Sequence, residues 1–222
     1  MKSPDQDGPA PNQNPQFDAL NNMVARYIAA LDVAKRMEEK AKVDPLTGLP
    51  NQYKLEEDYT GLQRSAGILD EKHERAADVG PTKVSDRHSI LMADLDYFKD
   101  INDSRGHGEG NRLLREVADV MSGRLRKRDV AARIGCEEFA ILLPHTGIEQ
   151  AVDVAEDIRQ RTEDTGDVTL SIGVVGVDLA ETLEENLERA DSAMYLAKEY
   201  GRNQVVQYRL TLYRPDRPNL PQ

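Results

Sequence analysis

The stretch Ser89-Ile-Leu-Met-Ala-Asp-Leu-Asp-Tyr-Phe-Lys99 runs from apolar to acidic to basic. Ser89 to Ala93 is a short apolar run of the length and character of a buried strand. Asp94, Asp96 and Lys99 follow at its end. Carboxylates at a strand end, facing the mouth of a sheet, are where α/β proteins hold ligands and metals. Two acids and a lysine suit Mg²⁺ with a triphosphate, because Mg²⁺ takes few protein ligands and leaves the rest to phosphates and water. A polar loop after a strand is the plainer alternative, and this stretch alone does not decide between them.

Towards the C-terminus the pattern alternates regularly. Gly110 to Arg126 reads as a helix with Leu113, Leu114, Val117, Met121 and Leu125 on one face. Val130 to Ile134 and Glu138 to Leu143 read as two strands joined at Gly135-Cys136. The turn carries paired acids, Glu137 and Glu138, in an otherwise apolar hairpin. Packing gives no reason for them, although glutamates on an exposed turn are unremarkable by themselves. Ile148 to Arg161 reads as a helix with Ala151, Val152, Ala155 and Ile158 inward. Val168 to Val177 reads as a strand, and Leu183 to Tyr200 as a helix capped by Gly201. Gln204 to Leu212 is the last expected strand. The order strand, helix, hairpin, helix, strand, helix, strand predicts an α/β layer with helices largely on one face.

Towards the N-terminus, residues 65–87 mix charges with Gly80 and Pro81 and read as a helix end and a surface loop. A helix is expected from about Asn51 to Arg64. Asp44-Pro45 stops the preceding helix, because the residue before proline is pushed out of the α region. That helix spans Phe17 to about Lys42. Phe17, Leu20, Val24, Tyr27, Leu31 and Ala34 alternate at spacings of three and four, a heptad seam. Packing on its own domain and a short parallel coiled coil between two chains both fit it. Residues 1–16 have almost nothing to bury and read as disordered. The expected organisation is therefore 1–16 disordered, 17–43 an N-terminal helix and candidate dimerisation stalk, 44–208 one domain, and 209–222 a tail.

The 222 residues carry 29 Lys+Arg against 40 Asp+Glu, a net charge of -11. So acidic a chain is a poor binder of a nucleic-acid backbone, and neither DNA nor RNA is expected as a partner. A nucleotide substrate remains open, since acids can hold the metal that meets its phosphates. The single cysteine, Cys136, excludes a disulfide framework and a cysteine-based zinc site within the chain. No apolar run reaches a membrane span, and the polar start has no secretory core. A cytoplasmic location is expected.

Six motifs, in order, resemble the GGDEF-domain diguanylate cyclases over residues 44–208. They are Asp44-Pro-Leu-Thr-Gly-Leu-Pro-Asn51, Asp94-Leu-Asp-Tyr-Phe-Lys-Asp-Ile-Asn-Asp103, Gly106-His-Gly-Glu-Gly110, Gly135-Cys-Glu-Glu-Phe139, Ser171-Ile-Gly-Val174, and Ala190-Asp with Lys198 and Gly201-Arg-Asn203. The resemblance implies a palm-like domain with a central, mostly antiparallel sheet flanked by helices, related to class III nucleotide cyclases. It implies condensation of two GTP into cyclic di-GMP and two pyrophosphates by a homodimer. It implies divalent metals, Mg²⁺ or Mn²⁺, on Asp94, Glu137 and the Leu95 carbonyl. Glu138 would support the metal site or deprotonate the 3′-hydroxyl. Backbone N–H groups around Tyr97 and Phe98 would cradle phosphates, and Lys99, Lys198 and Arg202 would neutralise them. Asn102 and Asn111 would read the guanine edge. Arg126 and Asp129 match an allosteric site for the product, cyclic di-GMP. Residues 1–43 are too short for a sensor, which leaves dimerisation or a regulatory protein partner as the input.

Four positions depart from the family pattern: Gln52 for an arginine, Asn111 for an aspartate, Cys136 for the second signature glycine, and Asp157 where a product-site arginine is common. Cys136, among the substrate-contacting positions, would cost about 1–2 kcal/mol if its backbone were left-handed. Asn111 loses one acceptor towards guanine, which weakens discrimination by about 1–3 kcal/mol and suits adenine better. Asp157 adds an anion beside the product site. The expected function is a diguanylate cyclase. A degenerate receptor for cyclic di-GMP and a cyclase with relaxed purine choice are the alternatives.

Overall fold

The computed structural model describes residues 23–31, 42–68 and 88–209. It divides into two units, residues 1–41 and 42–222. In the first, residues 23–31 form helix α1, with Met23, Val24, Tyr27, Ile28 and Leu31 exposed. Phe17, Leu20 and Ala34 of the heptad, the disordered reading of 1–16, most of the loop 65–87 and the tail beyond Arg209 lie outside the described residues.

The second unit is a five-stranded sheet in the order β2-β3-β1-β4-β5. Its strands are β1 (Ser89–Leu95), β2 (Val130–Arg133), β3 (Glu138–Leu143), β4 (Leu170–Gly176) and β5 (Val205–Gln207). All pairs are antiparallel except β4 with β5. The helices are α2 (Gln52–Ser65), α3 (Phe98–Arg105), α4 (His107–Arg124), α5 (Ile148–Glu163) and α6 (Leu183–Glu199).

The helices cover both faces of the sheet rather than largely one. Leu91, Ala93, Leu95, Phe139, Ile141, Leu170, Ile172 and Val174 pack with Phe98 of α3 and the apolar faces of α4 and α5. Their strand neighbours Ile90, Met92, Ala140, Leu142 and Val175 pack with Leu55 and Tyr59 of α2 and Ala190 and Met194 of α6. A run buried on both sides hides this alternation, which is why the sequence reads as one layer. Val154 is buried at the position in α5 that the sequence assigns to Val152, and Val152 packs at the rim of the core.

Gly173 lets α6 approach. A Cβ there would overlap the Ala190 carbonyl oxygen and the Met194 amide nitrogen, both backbone atoms of α6. A Thr182–Glu185 capping box opens that helix, and Gly201, at φ 115°, ends it.

Helix α3 is not anticipated by the sequence pattern. Phe-Lys-Asp-Ile-Asn-Asp-Ser-Arg has two apolar residues and no helical stripe. Burial of Phe98 and partial burial of Ile101 hold it. Gly106, at φ 82°, separates it from α4, which starts at His107 despite Gly108 and Gly110. Strand β5 is shorter than expected. Tyr208 and Arg209 are not strand, and residues 210–212 lie outside the described residues.

Candidate active site

Alternation along β1 puts Asp94 in the series Ile90, Met92, Asp94, on the α6 face. It lies between Glu138 of β3 and Ser171 of β4 in register. The Lys198 Nζ on α6 sits 2.8 Å from Asp94 Oδ2. Asp94 is buried, and burial pushes its carboxyl pKa up. Lys198 works against this, while Asp96 and Asp191 add to the rise. Burial also raises Glu137 and Glu138, and the charge of Asp94 adds to both. Burial and mutual repulsion thus disfavour the anionic form of all three carboxylates.

Asp94, Leu95, Tyr97, Phe98, Lys99, Glu137, Lys198 and Arg202 line one open cleft of about 220 Å³. Asn102, Asn111, Cys136 and Glu138 are not on its wall. Asn102 is packed against Gly110, where a Cβ would overlap its side-chain oxygen. Asn111 is exposed near the start of α4. Glu138 folds its carboxylate over Gly135. The opening amides of α3 have no carbonyl partner within the helix, and Phe98 and Lys99 bring them to the cleft.

Asp96 is a framework residue rather than the second free acid of the cluster. Its oxygens accept from the Thr169 hydroxyl (2.7 Å), the Ser171 hydroxyl (2.7 Å) and the Asn203 N–H (3.0 Å). Asn203 is further held by Arg159 and Glu163, at 2.8 Å each. The turn carrying Arg202 is thereby fastened to the end of β1.

Cys136 is exposed, and its φ is not in the left-handed region. The strain anticipated for a side chain there is absent. Its carbonyl accepts from Arg133 Nη2 at 2.6 Å, and Arg133 Nη1 bonds both Asp44 oxygens at 3.2 Å. Asp44 also accepts from the Thr47 N–H (2.8 Å) and hydroxyl (2.6 Å). The residue-44 turn and the signature turn are one hydrogen-bonded unit, a tie that sequence reading misses.

Burial works to raise the Asp44 pKa, but Thr47 and Arg133 outweigh it and hold the carboxyl below its ordinary value. Its stabilisation is therefore present above the ordinary carboxylate range and lost as pH falls through the depressed value. Asp44→Asn should cost about 1–3 kcal/mol near neutral pH. In thermal melts, its gap to the native chain should narrow as pH falls.

Arg126 and Asp129 lie together at a second hollow of about 330 Å³. The Asp129 carboxylate accepts from the Arg126 N–H at 2.8 Å, and its Oδ1 is buried without a partner. Asp157 is not a bare anion there. Arg124 and Arg161 both pair with it, so the anticipated repulsion is compensated.

Sheet order, two-faced helix packing and the strand-end cleft define an α/β domain of the palm type. The sequence matches the description "Diguanylate cyclase, GGDEF domain" over residues 41–204. The chain belongs to this family. Diguanylate cyclase A of Treponema denticola is 43% identical over 127 residues, covering 53% of this chain and 34% of that protein. Diguanylate cyclase DgcP of Pseudomonas aeruginosa is 34% identical, covering 85% of this chain and 27% of that protein. This chain thus spans about a quarter to a third of those relatives. Among solved structures, Pseudomonas aeruginosa diguanylate cyclase SiaD, in complex with its activator SiaC, superposes with a TM-score of 0.64 at 32% identity, covering 86% of this chain and 72% of that one. Among the described residues, no helix is long and apolar enough to cross a membrane.

Proposed function

We propose that this chain is a diguanylate cyclase that condenses two GTP into cyclic di-GMP and two pyrophosphates. The convergence of Asp94, Glu137, Lys99, Lys198 and Arg202 on one cleft carries this reading. Asp94, Glu137 and the Leu95 carbonyl are hard oxygen donors, which fit Mg²⁺ or Mn²⁺. Among the described residues no larger group of metal-ligating side chains converges. Two carboxylates and a carbonyl are a set that Mg²⁺ completes with phosphate oxygens and water. Such a metal supplies charge neutralisation and alignment of the α-phosphate.

The chain's own residues do the rest. Lys99, Lys198 and Arg202 meet the triphosphate, and the first amides of α3 donate to its oxygens. Glu138, beside Asp94 in register on β3, takes the proton of the attacking 3′-hydroxyl once its carboxylate turns from Gly135 towards the cleft. The hydroxyl oxygen bonds to the α-phosphorus of the second GTP as the bond to pyrophosphate breaks. A second such step closes the ring. The cleft has room for phosphates and metal, and Asn102 and Asn111 are the residues for the base. Two half-sites need two chains, and the exposed apolar residues of α1 fit a homodimer through the Phe17–Ala34 seam. Sedimentation of the full chain against one starting at Lys42 tests that seam.

Purified chain incubated with Mg²⁺ and GTP, ATP or both, and read by chromatography, tests the activity. Cyclic di-GMP is the expected product. No product from any nucleotide removes the cyclase reading. Because Cys136 carries no backbone strain, Cys136→Gly relieves none and should lower the melting temperature slightly, through about 0.4–1 kcal/mol of added freedom in the unfolded chain. Its expected gain is in kcat, with KM similar, as the turn admits closer alignment of the reacting groups; small misplacements there cost up to about 10²-fold.

The partnerless Asp129 Oδ1 beside Arg126 favours a second reading, cyclic di-GMP binding at that hollow. Arg can donate to the Hoogsteen edge of guanine, and Asp can accept from its N–H groups. A chain that binds cyclic di-GMP but makes none would be a receptor.

A further inference from the structure

Tyr97 has no assigned side-chain role and an uncommon conformation. Its φ is 57°, in the left-handed region, and its ring is exposed at the cleft. Arg202, across the cleft, is also left-handed, at φ 63°. Its guanidinium carbon lies 4.6 Å from the centre of the Tyr97 ring, within the range of a cation–π contact. Left-handed backbone is disfavoured for both residue types. Both persist because their neighbours are fastened. Ile101 N–H donates to the Tyr97 carbonyl, Arg202 N–H donates to the Ala197 carbonyl, and Asp96 holds the Asn203 N–H. Asp96 thus adjoins Tyr97 in the chain and grips the residue after Arg202.

The chemistry of this contact differs from that of the other held arginines near the site. Arg133 and Arg159 are oriented by carboxylates that also cancel their charge. Among the described residues Arg202 forms no ion pair. An aromatic face orients a guanidinium without neutralising it and leaves its in-plane N–H donors free for an anion's oxygens.

We propose that Tyr97 is a positioning residue: its ring holds Arg202, fully charged, at the cleft rim and so strengthens binding of the substrate's polyphosphate. This rests on the reading of Arg202 as a phosphate contact. The test is calorimetric titration with 3′-deoxy-GTP and Mg²⁺, a nucleotide that keeps the triphosphate and lacks the nucleophilic hydroxyl. Tyr97→Leu should weaken binding about three- to tenfold, and Tyr97→Phe should retain native affinity. Tyr97→Asn, which tolerates the left-handed backbone, should repeat the leucine result and covers the case in which leucine misfolds. In an Arg202→Ala background, Tyr97→Asn should cause no further loss. With GTP as substrate, the defect should fall on KM rather than kcat. Equal weakening by Tyr97→Phe, or unchanged affinity in Tyr97→Asn, overturns the proposal while leaving Arg202 as a phosphate contact. If Arg202→Ala binds the nucleotide like the native chain, or the native chain does not bind it, the phosphate reading falls and Tyr97's role with it.

Discussion

Asp94→Asn should abolish cyclic di-GMP synthesis while leaving the domain at least as stable as the native chain. The two effects have one cause. Asp94 is buried at the end of the central strand, and burial makes its anion unfavourable even with Lys198 2.8 Å away. An amide of the same shape removes that cost. The Asp94 carboxyl pKa is raised, so the folded state binds its proton more readily than the unfolded state, and the destabilisation by the anion grows as pH rises through that range. The amide variant has no such dependence. Lys198 is partly exposed, so water can solvate it when the carboxylate is gone. Metal-bound charge stabilisation is worth several kcal/mol, so the rate should fall about 10²–10³-fold or more. Thermal melts and product chromatography on one preparation check both halves. Native turnover would remove the metal assignment of Asp94. A collapsed melting temperature would mean that the residue serves the fold.

The second large effect concerns Gly173→Ala, where stability rather than chemistry is lost. Most added methyl groups meet side chains that can swing away. Here the new Cβ would overlap the Ala190 oxygen and the Met194 nitrogen, and a helix backbone cannot yield locally. The whole of α6 must lift from β4. Overpacking commonly costs 1–3 kcal/mol, and this case belongs at or above about 3. That corresponds to about 6–12 °C in melting temperature for a domain of this size. Lys198 rides on α6, so activity should fall with stability. Differential scanning calorimetry gives the first number and a synthesis assay the second. An unshifted melting temperature would mean that α6 is not as closely seated as described.

Much of this is legible in the chain. The apolar run before Asp94 and the acids on the hairpin turn identify two walls of the cleft. The Gly201 cap locates the end of the helix that carries Lys198. The helix α3 is not legible, because it is held by burial of Phe98 and partial burial of Ile101 rather than by a repeated apolar pattern. The covering of both sheet faces is not legible either, since a strand buried on each side shows no alternation. Residue type alone also misleads at Cys136 and Asp157. A glycine's usual place does not reveal φ, and an acid's sign does not reveal the two arginines beside it. The Asp44–Arg133 tie joins residues far apart in the chain, and nothing local encodes it. The same holds for Asp96, whose partners Thr169, Ser171 and Asn203 all arrive from later elements.

The strand order has a consequence for how the domain is made. Strand β1 lies at the centre of the sheet, yet both its neighbours, β3 and β4, follow it in the chain. As the chain leaves the ribosome, β1 has no partner until β3 emerges and is flanked on both edges only after β4. Such non-local pairing is slow and leaves strand edges open meanwhile. Asp94 is synthesised early, but Lys198 and Arg202 come from the last helix and the turn after it. The cleft therefore closes last, and a nascent chain lacking α6 and the turn after it would hold the acids of the site with Lys99 but without Lys198 and Arg202.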